Sequence, residues 1–432
     1  MSSQHPSDID ILQPETPSAS VTIQDIEDAA HKLEGIAHRT PLNYNELLSE
    51  QYQANIWLKR EDLQVVRSYK IRGAYNMIQS LREAETKNGV VCASAGNHAQ
   101  GVAFACRKKG IKGTIFMPVT TPDQKVKQVN MFGREFVEIV LDGDTFDDAF
   151  ARATDFCVKT NAAFIPPFDH PKIIAGQGTV GKELWEDADF LIDYIIAPVG
   201  GGGLSAGIGS YIKAYSPQTQ IIGVEPEGAP AMLKSIQAGK VVRLDEIDKF
   251  VDGAAVKKVG QFTFEICSKV LDTIITVPEG KVCGTILNMY NEQAIVVEPA
   301  GALSITALDD CRDQVKGKNV ICVISGSNND IMRTAEIKER SLMYKGLKHY
   351  FIVDFPQRAG ALREFLGYVL GSDDNITYFE YSKKTNTDLG PALIGLEVKS
   401  KEDIQRLIDR MNAKQLSFEY INDHPQLFRF IA

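Results

Sequence analysis

Lys70 is the first residue of this sequence whose position suggests reaction chemistry. It lies within Ser-Tyr-Lys-Ile-Arg-Gly, residues 68–73, directly ahead of a helix predicted over residues 73–81. Most lysines in such loops are ordinary surface residues. The same place also suits a desolvated amine that forms a Schiff base with a carbonyl compound. Lys70 alone leaves both interpretations open.

Four consecutive glycines, residues 200–203, form a second candidate site. They follow a strand predicted over residues 194–199 and open a helix predicted over residues 205–214. Glycines in such a turn let backbone N–H groups point at one place, and the helix N-terminus adds positive potential, so the turn can bind a phosphate. A tight turn needed only for packing is the structural alternative, although four glycines cost considerable conformational entropy.

Two short motifs also fit the glycine run. Residues 201–206 match the dinucleotide fingerprint Gly-x-Gly-x-x-Ala, and Glu225 follows 24 residues after Gly201, where a ribose-binding acid would lie. Residues 203–207, Gly-Leu-Ser-Ala-Gly, match a nucleophile elbow centred on Ser205. The elbow needs a later histidine, and the only later histidines lie in a separate C-terminal segment. The dinucleotide interpretation is the harder one to dismiss.

Two polar loops each follow a predicted strand. Ser-Ala-Gly-Asn-His occupies residues 94–98, and Ser-Gly-Ser-Asn-Asn-Asp occupies residues 325–330. Their hydroxyl, amide and backbone donors suit a carboxylate or an aromatic hydroxyl, whereas helix capping is the structural alternative. An amine, a phosphate site and two such loops together indicate a cofactor with an aldehyde and a phosphate, and pyridoxal phosphate has both.

Short apolar runs alternate with amphipathic segments from about residue 21 to residue 330, which predicts a mostly parallel sheet covered by helices. Such sheets bind ligands at the carboxyl ends of their strands. Strands are predicted at residues 90–94, 114–118, 135–141, 163–167, 194–199, 220–225 and 319–324, with helices at 98–109, 123–132 and 146–160. Residues 1–20, rich in Ser, Pro and Asp, predict a flexible arm.

A different pattern begins near residue 340. The charged residues 337–348 are a natural linker, and residues 349–432 predict the order β-α-β-β-α-β of a ferredoxin-like α+β domain. The predicted strands are 349–354, 376–382, 392–399 and 417–421, and the predicted helices are 359–370 and 402–411.

Composition excludes several classes of protein. The 432 residues carry a formal net charge of −9, so no basic surface for nucleic acid is expected, and no apolar run reaches the roughly 18 residues of a membrane-spanning helix. The seven cysteines show no Cys-x-x-Cys spacing and predict small buried side chains in a reducing compartment. The first basic residue, Lys32, comes too late for a signal peptide, so we expect a cytoplasmic protein.

The motifs jointly resemble the fold-type II pyridoxal-phosphate enzymes, and specifically the biosynthetic threonine dehydratases (threonine ammonia-lyases). The matching segments follow the family's order within about residues 21–335, and they are residues 68–73, 94–101, 167–171, 200–203 and 325–328. The resemblance implies a two-lobed α/β catalytic domain of the tryptophan-synthase-β-like fold over residues 21–336. A small lobe at about residues 60–170 would be inserted in the large lobe.

The resemblance also implies a role for each matching residue. Lys70 would form the Schiff base and act as the general base, Asn97 would bond the ring hydroxyl of the cofactor, and Ser325 would face its pyridine nitrogen. The phosphate would be held by Gly200, Gly201, Gly202, Gly203 and Leu204. The candidates for binding the substrate carboxylate are Ser94, Ala95, Asn97 and His98.

The implied reaction is β-elimination of water from L-threonine, followed by hydrolysis to 2-oxobutanoate and ammonia, the first step of isoleucine biosynthesis. L-serine would be a second substrate. A serine hydroxyl such as that of Ser325 does not keep a ring nitrogen protonated as a carboxylate would, so rapid elimination is expected rather than transamination.

Two positions depart from the related serine racemases. Alanine at position 95 replaces the serine that acts there as the second acid/base, so racemisation is expected to be poor. Those relatives also bind a divalent cation through two acids. Glu225 matches the first acid, but the second position is Ala231, so we expect no metal site and a structural role for Glu225.

The C-terminal domain carries Phe-Pro-Gln-Arg-Ala-Gly-Ala-Leu at residues 355–362. This segment resembles the loop of ACT-like regulatory domains, of which the chain has room for one. The resemblance implies inhibition by isoleucine, relief by valine and a homo-oligomer, with a tetramer favoured. A purely structural oligomerisation domain is the alternative.

Other functions stay open from the sequence. A catabolic serine/threonine dehydratase or a β-replacement synthase would keep the cofactor. A dinucleotide-binding oxidoreductase would use the glycine run differently, and a non-catalytic amino-acid sensor would keep only the fold.

Overall fold

The computed structural model describes residues 21–381, 387–422 and 424. The arm predicted at residues 1–20 and the last residue of the strand predicted at 376–382 lie outside the described residues. The chain forms two units, the first from residues 21–279 and 288–330, the second from residues 280–287 and 331 onward.

The first unit contains two sheets and the helices that cover them. In chain order its elements are α1 (Ile23–Leu33), β1 (Leu42–Tyr44), α2 (Glu46–Tyr52), β2 (Asn55–Arg60), α3 (Lys70–Ser80), α4 (Glu83–Thr86), β3 (Val90–Ala93), α5 (Asn97–Lys109), β4 (Gly113–Met117), α6 (Asp123–Gly133), β5 (Val137–Leu141), α7 (Phe146–Thr160), β6 (Ala163–Phe164), α8 (Pro171–Asp187), β7 (Tyr194–Pro198), α9 (Gly203–Tyr215), β8 (Gln220–Pro226), α10 (Ala231–Ala238), α11 (Gln261–Val270), β9 (Thr273–Val277), the two ends of α12 (Glu279–Gln293), α13 (Pro299–Thr306), α14 (Arg312–Val315) and β10 (Asn319–Ile324). Residues 280–287 of α12 belong to the second unit.

The larger sheet has six strands in the order β1-β2-β10-β7-β8-β9. Only β1 runs antiparallel to its neighbour. The central strands β7 and β10 are continuous runs of apolar, largely β-branched side chains buried on both faces, as expected of a parallel sheet between helix layers. The loops after β7 and β10 therefore leave the same edge of the sheet.

The second sheet has four parallel strands in the order β5-β4-β3-β6. The helix predicted at residues 146–160 has the predicted bounds, and most other predicted elements differ by a residue or two. The strand predicted at residues 163–167 is shorter, because Pro166 and Pro167 have no N–H to donate to a neighbouring strand.

The second unit is an antiparallel α+β domain, and the predicted ferredoxin-like order is confirmed. Its elements are α15 (Thr334–Tyr344), β11 (Lys348–Pro356), α16 (Ala361–Tyr368), β12 (Asn375–Tyr381), β13 (Leu389–Glu397), α17 (Asp403–Ala413) and β14 (Ser417–Tyr420). The sheet order is β12-β13-β11-β14, and its core includes Phe351, Ile394 and Leu407. Much of the segment predicted as a linker, residues 337–348, belongs to α15.

All seven cysteines are buried and unpaired with one another, which confirms that they are small core side chains. None of the helices in the described part of the chain has both the length and the apolar character needed to cross a lipid bilayer.

Candidate active site

Lys70 is the first residue of α3, so the helix begins three residues earlier than predicted. The residues before it are tied to the loop that follows β10. Ser68 forms an isolated antiparallel bridge with Gly326, and the Tyr69 N–H donates to the Ser325 carbonyl at 3.2 Å. Two segments that are distant in sequence are thereby held at one strand end.

The Lys70 amine has the properties of a nucleophile. Its Nζ donates to the Pro167 carbonyl at 3.0 Å. Burial lowers the pKa of Lys70 to about 8, although the carboxylate of Glu298 opposes that shift. A lysine with this pKa is partly neutral near neutral pH, as nucleophilic and general-base chemistry requires.

The glycine run is closely packed against neighbouring residues at the start of α9. A Cβ at Gly201 would lie 2.2 Å from the Phe168 ring, and Gly202 has a φ of +92°, which disfavours any other residue. The first hydrogen bond of α9 runs from the Ala206 N–H to the Gly202 carbonyl. The N–H groups of residues 203–205 precede that bond, at the positive end of the helix, where an anion is favoured.

The two other interpretations of the glycine run fail on geometry. Ser205 is fully buried and its hydroxyl donates to the Pro198 carbonyl at 3.3 Å, so it is no exposed nucleophile. Both Glu225 oxygens accept backbone N–H groups at 2.8 Å, from Met232 and Leu233. Glu225 therefore caps α10 from within the core and is not free to bind a ribose.

The loop after β3 opens α5 at Asn97. The Ser94 hydroxyl accepts the Gly96 N–H at 3.2 Å, and the first bond of α5 runs from the Gln100 N–H to the Gly96 carbonyl. The N–H groups of residues 97–99 precede it, so this helix also begins with donors suited to an anion. Ala95 lies in the same turn and is partly buried.

His98 lies deeper than the sequence suggested. It is 4% exposed, and its Nε2 bonds to the Ile165 carbonyl at 2.9 Å. Burial and the nearby charge of Lys70 lower the pKa of His98 to about 3. The ring is therefore neutral and belongs to the core, which leaves the backbone N–H of His98 as its means of contacting a substrate.

The sequence did not reveal Glu298. This buried acid lies directly before α13, and Asn97 Nδ2 donates to its Oε1 at 2.6 Å. Burial, reinforced by the charge of Asp252, raises the pKa of Glu298 to about 7. The only signal in the sequence is one acid between an apolar pair and a proline, in Val-Val-Glu-Pro at residues 296–299.

The segment Pro-Phe-Asp-His-Pro at residues 167–171 joins the lysine to the glycine run. Its first carbonyl accepts the Lys70 amine, and the Phe168 ring packs on Gly201. Asp169 accepts the N–H groups of Gln261 and Thr263 at the start of α11. Each part of this motif has a contact of its own in the site.

The structure thus brings the predicted residues of four separate segments to the strand ends of one unit. Ser325 follows β10 and is 2% exposed, and the buried Ser68 hydroxyl has no hydrogen-bond partner among the described residues. Such an unsatisfied hydroxyl in a core is costly unless a ligand satisfies it.

Comparisons with known proteins identify the family of the chain. Residues 33–326 match the family of pyridoxal-phosphate dependent enzymes, and residues 339–431 match the C-terminal regulatory domain of threonine dehydratase. A biosynthetic L-threonine dehydratase of Halalkalibacterium halodurans is 58% identical over 411 residues, 95% of this chain and 99% of that protein. The corresponding protein of Bacillus subtilis is 56% identical, over 95% of this chain and 97% of its own.

Solved structures show the same fold. The processed form of threonine deaminase isoform 2 from Solanum lycopersicum has a TM-score of 0.69 and 35% identity, covering 76% of this chain and 99% of its own. A serine racemase from maize has a TM-score of 0.69 and 29% identity, covering 75% of this chain and 98% of its own.

Proposed function

Because the chain belongs to the pyridoxal-phosphate-dependent enzymes, and within them to the biosynthetic threonine dehydratases, we propose how its residues perform and regulate the deamination of L-threonine. The observation that carries the proposal is the half-buried Lys70 amine, which donates to the Pro167 carbonyl beside the glycine turn and has a lowered pKa.

The residues present fit pyridoxal phosphate. Lys70 supplies the amine for its aldehyde. The first N–H groups of α9 suit the phosphate, and the close packing of Phe168 on Gly201 and of Met232 on Gly202 allows only glycine in the turn that presents them. The Ser68 hydroxyl and the Asn328 side-chain oxygen are buried and have no hydrogen-bond partner among the described residues, so a bound ligand could supply one.

Each predicted residue then has a proposed task. Lys70 would hold the cofactor covalently, with Asn97 donating to its ring oxygen and Ser325 facing its ring nitrogen. The phosphate would lie against residues 200–204. When bound, the cofactor supplies an electron sink that makes the Cα proton of the amino acid acidic.

Lys70 would also move the proton. As a free amine its lowered pKa would leave it partly neutral near neutral pH, so that it could accept the Cα proton. Ala95 cannot donate or accept a proton, so no acid/base is proposed there and racemisation should be poor. The hydroxyl of Ser325 does not stabilise a charged ring nitrogen as a carboxylate would, which favours loss of the β-hydroxyl over transamination.

The substrate carboxylate would bind at the start of α5. The donors available there are the N–H groups of residues 97–99 and the Ser94 hydroxyl. L-serine differs from L-threonine by one methyl group, which a pocket discriminates by only about 10- to 200-fold. We therefore propose that serine is a second, slower substrate.

The experiment that tests this function measures the ratio of the products released from L-threonine. The purified protein given L-threonine should release 2-oxobutanoate and ammonia in equal amounts without any second nucleophile, which separates elimination from β-replacement. Its visible cofactor absorbance should disappear on borohydride reduction and in Lys70→Ala. A colourless protein that reduced NAD would contradict the proposal.

We further propose that the second unit mediates inhibition by isoleucine and its relief by valine. The support is its match to the regulatory domain of threonine dehydratase and its ferredoxin-like sheet. A chain that ends near residue 336 should keep turnover and lose sensitivity to isoleucine. If inhibition persists in that chain, the effector binds the first unit. Assembly as a homotetramer stays a prediction that light scattering can test.

A further inference from the structure

Glu298 is a buried acid to which the proposed reaction assigns no role. It is 5% exposed and precedes α13, and its N–H donates to the Gly326 carbonyl at 3.2 Å. Space around its carboxylate is so limited that a Cβ on Gly326 would lie 2.5 Å from Oε1. A buried carboxylate destabilises a fold unless its environment compensates, so its position calls for a reason.

The carboxylate closes a triangle of hydrogen bonds with two amides. Asn97 Nδ2 donates to Oε1 at 2.6 Å, and the Asn328 N–H donates to Oε2 at 3.1 Å. Asn328 Nδ2 donates to Asn97 Oδ1 at 2.6 Å. Asn97 thus contacts an acceptor with its nitrogen and a donor with its oxygen.

This arrangement decides which way the Asn97 amide points. The ionised form of Glu298, which predominates above its pKa of about 7, only accepts hydrogen bonds, so the NH₂ group of Asn97 faces it in that form. A flipped amide would set oxygen against oxygen and NH₂ against NH₂. In the observed orientation the second N–H of Asn97 has no acceptor among the described residues.

Charged and titratable groups surround Glu298 on several sides. Tyr69 and Lys70 interact with it electrostatically from the start of α3. Asp252 and Lys125, which form an ion pair with each other, act on it from the opposite segments. A negative charge on Glu298 favours the protonated form of the Lys70 nitrogen.

We propose that Glu298 is a positioning residue of this site. It fixes the Asn97 amide so that one N–H remains free for the ring oxygen of the cofactor, and its charge favours a proton on the Lys70 nitrogen. This inference rests on the proposed role of Asn97.

The test measures cofactor binding rather than turnover alone. Apoenzyme of Glu298→Gln should bind pyridoxal phosphate about 10- to 100-fold more weakly, because one hydrogen bond to a charged group is lost or reversed. The pH midpoint of the visible absorbance of the bound cofactor should move to lower pH. Glu298→Asp, which keeps the carboxylate, should restore most of the affinity and the midpoint.

Glu225→Gln is the matched control. Glu225 is also buried, with a pKa raised by burial to about 7, but it bonds only to backbone N–H groups. The control should lose thermal stability like Glu298→Gln and keep cofactor affinity within about twofold.

Unchanged affinity and an unchanged pH midpoint in Glu298→Gln would overturn the inference. If Glu298→Gln does not fold, Asn328→Ala replaces it, because this variant removes the other hydrogen bond to the Asn97 side chain. Asn328→Ala should also weaken cofactor binding. Cofactor binding as tight as in the wild type would then overturn the inference. Asn97→Ala separates the two proposals. If Asn97→Ala binds the cofactor normally, the proposed role of Asn97 itself is wrong.

Discussion

Lys70, which is half-buried, and Arg72, which is buried, are cations in the first turn of α3 with opposite surroundings. Arg72 is 1% exposed and reaches both oxygens of Glu61 at 2.8 and 2.9 Å and Glu183 at 2.6 Å. Lys70 has one hydrogen-bond acceptor, the Pro167 carbonyl. Glu298 acts on Lys70 through its charge, and no hydrogen bond or ion pair joins the two side chains in the described part of the chain.

The consequence appears in the proton affinities. Burial by itself would lower the pKa of both residues. For Arg72 the charges of Glu61 and Glu183 outweigh burial and raise the pKa, whereas for Lys70 burial prevails and the pKa falls to about 8. These two residues on one helix differ in pKa because of their partners and not because of depth alone.

Removing the reactive amine should give the largest effect. Lys70→Ala should lower threonine deamination at least about a thousandfold, because the nucleophile and the proposed base are lost together. Its thermal midpoint should be unchanged or raised, since a poorly paired half-buried amine is removed. Assays of 2-oxobutanoate and thermal melts of the apoenzyme check both results. A large loss of stability would mean that Lys70 is also structural.

Removing the structural cation should have the reverse pattern. Arg72→Met removes the cation that pairs with the buried Glu61, while Glu183 keeps its ion pair with Lys59, so the substitution should cost about 3–5 kcal/mol of unfolding free energy, mostly at Glu61. Arg72→Lys should recover only part of it, because a lysine cannot bond both Glu61 oxygens in a fork. Urea unfolding measures the loss. A stability equal to wild type would show that the network is not needed.

The two residues also differ in how well the sequence identified them. Lys70 was recognised from its position before a helix and from the motifs around it. Arg72 lies within the same motif, but nothing in its spacing shows that Glu61, from the segment after β2, and Glu183, from α8, converge on it. Contacts between segments so far apart in the chain depend on tertiary packing, which hydrophobic periodicity does not encode.

The same dependence on tertiary packing explains which other features the sequence predicts and which it does not. Continuous apolar runs such as β10 and the amphipathic α7 were placed with their observed bounds, because local pattern decides them. The residues at strand ends were found from glycine and polar motifs. Glu298 and the Pro167 carbonyl were missed, because a backbone acceptor or a single buried acid has no pattern of its own.

The pH behaviour of Lys70 is a finer test of the comparison. Only a neutral amine reacts with an amine-directed reagent, so a lowered pKa moves the reaction to lower pH. In the apoenzyme, modification of Lys70 should show a midpoint near pH 8 in place of the ordinary 10.5. Mass spectrometry of the Lys70 peptide across pH 6–11, about the range that brackets both values, measures it. In Glu298→Gln the midpoint should fall further, since Glu298 raises the pKa of Lys70.

Arg39 extends the comparison to the surface and should give the smallest effect. It pairs with Glu186 and Asp187, two acids beside the buried network, but its side chain is 53% exposed. Water already solvates this arginine, so Arg39→Ala should cost at most about 1 kcal/mol, and less at high salt. Urea unfolding at two salt concentrations, alongside Arg72→Met, measures the difference. Arg39 has similar acidic partners but is exposed. An equal loss of unfolding free energy in Arg39→Ala and Arg72→Met would therefore show that burial does not explain the strength of the Arg72 network.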